Sequence, residues 1–129
     1  MAGRVVHFEV PYDDADRARA FYSDVFGWSI QPVPDFEYNF VQTGPTDDES
    51  GMPAEPGFIG GGMFQRADDI GRPIITIDVD DMTAALAAIA QHGGVTIREP
   101  MQVGERGIAS YFTDSEGNLM GLWQTLAPT

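Results

Sequence analysis

The sequence predicts an α+β protein built from two tandem βαβββ modules, which form a cup-shaped mixed sheet with the helices on the outside. The main observation is a repeat, because the pattern of residues about 1–66 recurs over residues about 72–126. At an offset of 67 residues, Asp14 aligns with Asp81 and Gly27 with Gly94. The chain has 129 residues, of which 43% are hydrophobic and 21% charged, which fits a single domain over 1–129. Chance similarity within a generic α+β domain is the weaker alternative.

The first module begins with an alternating strand over residues 5–10. Asp13 and Asp14 are typical helix N-caps, and a helix over 15–26 ends at Gly27. Strands are predicted at 28–33 and 36–43, separated by the turn residues Pro34 and Asp35. A loop rich in Gly, Pro and acidic residues covers 44–57, and a Gly-rich strand follows at 58–65.

The second module repeats this order. A strand is predicted over 74–79, followed by the capping residues Asp80 and Asp81 and by an Ala-rich helix over 83–91. Gly93 and Gly94 end the helix. Three further strands are expected at 95–100, 107–114 and 118–124.

Alternation along the strands assigns the two faces of each sheet. We expect one apolar set to lie under the helices: Val6, Phe8, Val10, Ile75, Ile77 and Val79. The opposite face mixes polar and aromatic residues and is therefore a candidate ligand cavity. It carries Val5, His7, Glu9, Ile74, Thr76 and Asp78, together with Gly60, Gly62, Phe64, Leu119, Gly121 and Trp123.

Composition excludes several classes of function. There are 20 acidic residues against seven basic ones, all of them arginine, which gives a net charge of −13. A chain this acidic is not expected to bind nucleic acid or anionic membranes. The absence of Lys removes Schiff-base chemistry, and the absence of Cys removes disulfides and thiolate ligands. We find no 18-residue apolar run and no apolar signal core near the N-terminus, so we expect a cytoplasmic protein.

Six short motifs stand out along the chain: His7–Val10, Ala20–Tyr22, Phe26–Trp28, Val79–Asp81, Phe112–Asn118 and Leu122–Trp123. Together they resemble the vicinal oxygen chelate superfamily, which includes glyoxalase I, bleomycin-resistance proteins and extradiol dioxygenases. The resemblance covers nearly the whole chain. It implies paired βαβββ modules, a cup often completed across a homodimer, and, in the enzymes, a divalent metal held by four strand positions.

Carried over one at a time, the implied metal positions are His7, Gly62, Ile74 and Gly121. Three of them have no ligand atom, whereas a catalytic metal site takes about three protein ligands. We therefore predict no metal or other cofactor, with a divalent metal as the alternative. Such a metal would need His7 and Glu9, with Asp78 as a third group.

The sequence thus predicts a non-metallic small-molecule-binding protein that sequesters a cationic or aromatic ligand. The alternative is a metal-dependent lyase, isomerase or dioxygenase with an altered site centred on His7 and Glu9, and a third class is a domain that modulates another enzyme. No catalytic residue is assigned. The expected ligand-binding residues are His7, Glu9, Thr76, Asp78, Phe64 and Trp123. We also expect a homodimer, because an open sheet edge needs to be covered.

Overall fold

A computed structural model describes residues 3–126 and confirms the two predicted strand–helix–three-strand successions. Two helices and eight strands follow in the predicted order. Their bounds are β1 Val5–Tyr12, α1 Ala15–Phe26, β2 Ser29–Pro32, β3 Tyr38–Gln42, β4 Gly61–Gln65, β5 Ile74–Asp78, α2 Met82–Gln91, β6 Val95–Val103, β7 Gly107–Thr113 and β8 Leu119–Thr125. No helix among the described residues is long and apolar enough to cross a membrane.

The contacts of the chain divide it into two units. The N-terminal unit comprises His7–Pro73. The C-terminal unit comprises residues 74–126 together with residues 3–6, so the first residues of β1 belong with the second half of the chain. Backbone hydrogen bonds explain this assignment. The Gly3 N–H donates to the Asp78 carbonyl at 2.6 Å, and the Asp78 N–H donates to the Arg4 carbonyl at 2.9 Å.

In the N-terminal unit the strands are ordered β2-β3-β4-β1. Strands β1 and β4 are parallel, and the chain between them runs through α1, β2 and β3. The pairs β2–β3 and β3–β4 are antiparallel. Helix α1 covers one face of this sheet. The core on that side consists of Tyr12, Val41 and Met63, with partly buried Phe8 and Val10 packed against it.

Local signals fix the ends of α1. The Asp14 carboxylate accepts the Arg17 backbone N–H at 3.0 Å, which satisfies one of the free donors of the first turn. At the other end Gly27 adopts a left-handed conformation, with φ 74°, and donates its N–H to the Ser23 carbonyl at 3.0 Å. Glycine adopts this conformation without a steric penalty.

The C-terminal unit repeats the arrangement with strand order β5-β8-β7-β6. Strands β5 and β8 are parallel, and the pairs β7–β8 and β6–β7 are antiparallel. Asp81 caps α2 through a 3.0 Å bond from the Ala84 N–H. The side-chain oxygen of Gln124 accepts the Met82 N–H at 2.7 Å, so β8 supplies a second cap.

Of the six residues predicted to lie under the helices, four are confirmed there and one is not, and the placement of Val6 stays a prediction. Phe8, Val10, Ile77 and Val79 pack against the cores under their helices. The prediction for Ile75 is wrong, because this side chain is 47% exposed. Helix α2 has only 10 residues, and the core cluster beside it takes in Ile77, near the end of β5, and Val79, directly after β5.

Candidate functional site

The N-terminal unit has a polar and aromatic face on the side of its sheet away from α1. Phe8 and Met63 pack toward the helix, so alternation turns their neighbours on β1 and β4 to the other side. The same argument applies to β3, where Val41 packs toward the helix. We call this surface the polar face, and it carries His7, Glu9, Tyr38, Phe40, Gly62 and Phe64.

A hydrogen bond between two side chains organises the polar face. Nε2 of His7 lies 2.8 Å from the hydroxyl oxygen of Tyr38. Burial lowers the pKa of His7 from 6.5 to about 4, because desolvation disfavours the charged imidazolium. At neutral pH the imidazole is therefore uncharged, with one nitrogen as donor and the other as acceptor.

Tyr38 fills the space that a side chain at position 62 would occupy. A Cβ built on Gly62 would overlap the hydroxyl group and ring of Tyr38. The strand register explains the overlap, because Tyr38 pairs with Phe64 and Phe40 pairs with Gly62 in the antiparallel β3–β4 pair. Glycine at position 62 thus makes room for the phenol.

Two aromatic residues of β3 extend the polar face. The rings of Tyr38 and Phe40 meet edge to face, with centroids 5.8 Å apart and an interplanar angle of 79°. Phe40 is 41% exposed, so its ring is accessible to a ligand. We did not predict either residue as part of the site. The alternation of Tyr38 and Phe40 with the buried Asn39 and Val41 was the signal that could have found them.

Glu9 and Phe64 were predicted as ligand contacts and lie on the polar face. Each is only 5% exposed. Glu9 pairs in register with Gly62, the residue over which the Tyr38 hydroxyl group lies. Phe64 pairs with Tyr38. These two side chains therefore form part of the buried base of the face, while Phe40 is its exposed edge.

The other three predicted contacts lie in the C-terminal unit, on the side of its sheet away from α2. Thr76 pairs with Gly121 and is 6% exposed, and Asp78 pairs with Trp123. The indole N–H of Trp123 donates to the Thr125 hydroxyl at 3.0 Å, and its ring fills the space beside Gly107. Each unit thus carries three of the six predicted residues.

The four positions implied for a metal do not form a suitable donor set. His7 is engaged by Tyr38, and the space over Gly62 is taken by the same phenol. In the C-terminal unit, Ile74 offers no donor atom and is 1% exposed. A Cβ on Gly121 would lie 2.8 Å from the Thr76 hydroxyl oxygen. Over residues 3–126, no group of three or more His, Cys, Asp or Glu side chains is placed to hold a metal ion.

A groove of about 290 Å³ at the start of α1 contains none of the predicted residues. Its walls include Tyr12, Phe21 and Tyr22. Two of its charged groups form an ion pair, since Arg66 Nε lies 3.0 Å from a carboxylate oxygen of Asp13. Exposed ion pairs of this kind are common on protein surfaces, and the groove is not assigned as the site.

Comparison with known proteins agrees with this architecture. Residues 4–44 match the family model described as bleomycin resistance protein-like N-terminal. A glyoxylase-like domain-containing protein of Didymella fabae is 30% identical over 123 residues, which cover 92% of this chain and 91% of that protein. A probable lactoylglutathione lyase of Vibrio parahaemolyticus is 30% identical over 129 residues and 91% of its own length.

Solved structures share the fold at lower sequence identity. A Streptomyces coelicolor methylmalonyl-CoA epimerase in complex with 2-nitronate-propionyl-CoA superposes with a TM-score of 0.64 and 18% identity, over 98% of this chain and 100% of that one. A glyoxalase/bleomycin resistance protein/dioxygenase superfamily member from Vibrio splendidus gives a TM-score of 0.58 and 18% identity, with the same coverage.

Proposed function

Since the chain belongs to the glyoxalase/bleomycin resistance/dioxygenase superfamily, we propose that it binds a small organic cation with an aromatic group, without a metal. The observation that carries the proposal is the Tyr38 phenol. It occupies the space over Gly62 and is hydrogen-bonded to Nε2 of His7. One side chain, Tyr38, therefore hydrogen-bonds to the residue at the first metal position of the N-terminal unit and fills the space at the second.

The chemistry of the polar face favours a cation. Its polar atoms are a carboxyl group on Glu9, the phenol oxygen of Tyr38 and a neutral imidazole on His7, and none of these carries a positive charge at neutral pH. The accessible ring of Phe40 can attract a cation to its face. The net charge of −13 adds a long-range attraction for a positively charged ligand.

The proposal extends to assembly and to the C-terminal unit. We propose a homodimer that buries about 1,200 Å² or more. Thr76, Asp78 and Trp123 remain proposed ligand contacts, because they offer a hydroxyl group, a carboxyl group and an indole on one face of their sheet. Sedimentation that gives a monomer mass at tens of micromolar would contradict the dimer.

Calorimetric titration with Zn²⁺, Ni²⁺, Mn²⁺ and Fe²⁺ tests the metal-free character. We expect no stoichiometric site of micromolar affinity, because one imidazole leaves an ion mostly hydrated. The alternative, a metal-dependent lyase, isomerase or dioxygenase, requires such a site. If one appears and disappears in His7→Ala while persisting in the control His92→Ala, the alternative replaces this proposal. Loss in Glu9→Ala would then identify the second ligand.

A further inference from the structure

We propose that the outer side of α1 is the interface of the homodimer, with the α1 helices of two copies packed antiparallel about a two-fold axis at Phe21. This inference rests on the homodimer that forms part of the proposed function, and it assigns the surface that holds the two copies together. Helix α1 lies on the side of its sheet away from the polar face, so this dimer leaves the polar face of each copy outside the interface.

An apolar surface on the second half of α1 is exposed to solvent. Its members are Phe21, Val25 and Phe26, whose exposed fractions are 54%, 56% and 61%. The rings of Phe21 and Phe26 meet edge to face with centroids 6.5 Å apart, and Val25 lies one turn after Phe21. We call this surface the apolar face of α1. Contiguous exposed patches of large apolar side chains mark interaction surfaces, and aromatic residues are enriched in protein interfaces.

Two charged side chains of α1 remain unpaired beside this face. The helix carries four charged residues, of which Asp16 and Arg19 form an ion pair with each other. Arg17 and Asp24 are both exposed, and neither side chain makes a hydrogen bond or an ion pair in the part of the chain that the structure describes. They are seven residues apart, which is about two helical turns, so they lie on the same side of α1 with Phe21 between them.

This order of charges is self-complementary, which identifies a second copy of the chain as the partner. In a two-fold symmetric contact, each residue pair occurs twice, once on either side of the axis. An axis at Phe21 therefore brings Arg17 of each copy beside Asp24 of the other, on both sides of a central contact between the Phe21 rings. The positive end of each helix then lies beside the negative end of the other. A parallel arrangement would instead place like charges together at both positions.

The groove at the start of α1 adds to the contact area. Arg17 and Phe21 form part of its wall, and its volume is about 290 Å³. With the axis at Phe21, Val25 of the second copy lies opposite Arg17 and therefore beside this groove. An apolar side chain of the second copy thus meets the aromatic walls that Tyr12 and Tyr22 supply.

Charge reversal tests the antiparallel contact. Arg17→Asp places like charges together on both sides of the axis, and so does Asp24→Arg, so each should raise the Kd of the dimer about tenfold. The double variant exchanges the two charges and should restore the wild-type Kd, because both ion pairs form again with their direction reversed. The exchange also places an acid in the first turn of the helix and a base in the last turn, which favours folding.

Sedimentation of the full chain from micromolar to hundreds of micromolar measures these constants, at about 0.15 M salt, where charges more than about 8 Å apart are screened. Arg4→Asp is a matched control, because it makes the same charge change at an exposed position of the C-terminal unit and should leave the Kd unchanged. Phe21→Ala removes the central ring from both copies and should raise the Kd about a hundredfold. Its control is Phe36→Ala, which removes a 65% exposed ring between β2 and β3 and should have no effect. Circular dichroism establishes that the variants are folded.

The outcomes separate this inference from the proposed homodimer. If the wild-type protein is a dimer whose Kd neither charge reversal changes, another surface forms it, and the inference is overturned while the homodimer stands. If both reversals weaken the dimer and the double variant does not recover, the antiparallel contact is wrong and the inference is again overturned. If the wild-type protein is a monomer at every concentration, the proposed homodimer is contradicted and the inference falls with it.

Discussion

Replacement of Gly62 by alanine should destabilise the protein through a clash with Tyr38. The new Cβ would overlap the Tyr38 hydroxyl group and ring, so the phenol must move. Overpacking of this kind costs about 1–3 kcal/mol, and loss of the bond to His7 adds about 1 kcal/mol. We therefore expect Gly62→Ala to lower the free energy of unfolding by about 2–4 kcal/mol.

The same substitution should be harmless once Tyr38 is truncated. In a Tyr38→Ala background the three atoms nearest to the new Cβ are absent, since all belong to Tyr38. Alanine is then expected to stabilise the strand by about 0.5–1 kcal/mol, because glycine loses more conformational freedom on folding. The coupling energy between the two substitutions should be about 2 kcal/mol or more.

Urea unfolding of the wild type, both single variants and the double variant measures this coupling. Gly61→Ala is the matched control, because its Cβ would meet Phe8 instead, at 2.5 Å from Cε1 and 2.6 Å from the backbone oxygen. Its cost should be the same with and without Tyr38. If Gly62→Ala and Tyr38→Ala are additive within about 0.5 kcal/mol, Tyr38 does not occupy the space over Gly62.

Three further predictions concern stability. The unfolded chain takes up a proton on His7 near pH 6.5 and the folded chain only near pH 4, so the free energy of unfolding should fall by at most about 3 kcal/mol as the pH drops between these values. This fall should be absent in His7→Gln. If the free energies of unfolding of the wild type and the variant change in parallel with pH, the prediction is contradicted. Asp14→Ala removes the α1 cap and should cost about 1 kcal/mol in urea unfolding, against less than about 0.5 kcal/mol for the exposed helical control Asp24→Ala. Met63→Ala creates a cavity at a side chain that is 0% exposed and should cost about 2–5 kcal/mol; a smaller loss in thermal or urea unfolding would show that the core collapses around it.

Local signals in the sequence were sufficient to predict the helices. Asp14 and Asp81 were expected as N-caps, and each accepts a backbone N–H of its own first turn at 3.0 Å. A cap depends on residues within one turn, so its chemistry can be read without knowledge of the tertiary structure. The repeat and the alternation of apolar residues likewise predicted the succession of strands and helix along each half of the chain.

The strand ends were harder to predict. The sixth strand was expected to end at Pro100 but continues to Val103. It lies at the end of the strand order of its unit, and its pairing with β7 shifts register between Arg98 and Met101. Proline is tolerated at such edges and irregularities, where its missing N–H breaks no ladder bond.

The candidate site was predicted only in part. The sequence indicated His7 and the three implied metal positions that have no ligand atom, because these depend on residue identity alone. It did not indicate Tyr38, whose role depends on the register of β3 against β4. That register brings together residues 31 positions apart, as the bond between His7 and Tyr38 shows. Contacts of this kind follow from strand pairing, which a single sequence specifies weakly.

The pairing of Gly3 and Arg4 with Asp78 has a consequence during synthesis. The ribosome adds about 5–20 residues per second, so Asp78 is made roughly 4–15 s after Arg4. Over that interval Gly3 and Arg4 lack Asp78 as a partner, although the whole N-terminal unit, His7–Pro73, is synthesised before Asp78. The free segment carries Val5 and Val6, an apolar edge that a neighbouring chain could pair with. Translation speed over residues 7–78 thus sets how long this edge stays open to misassociation.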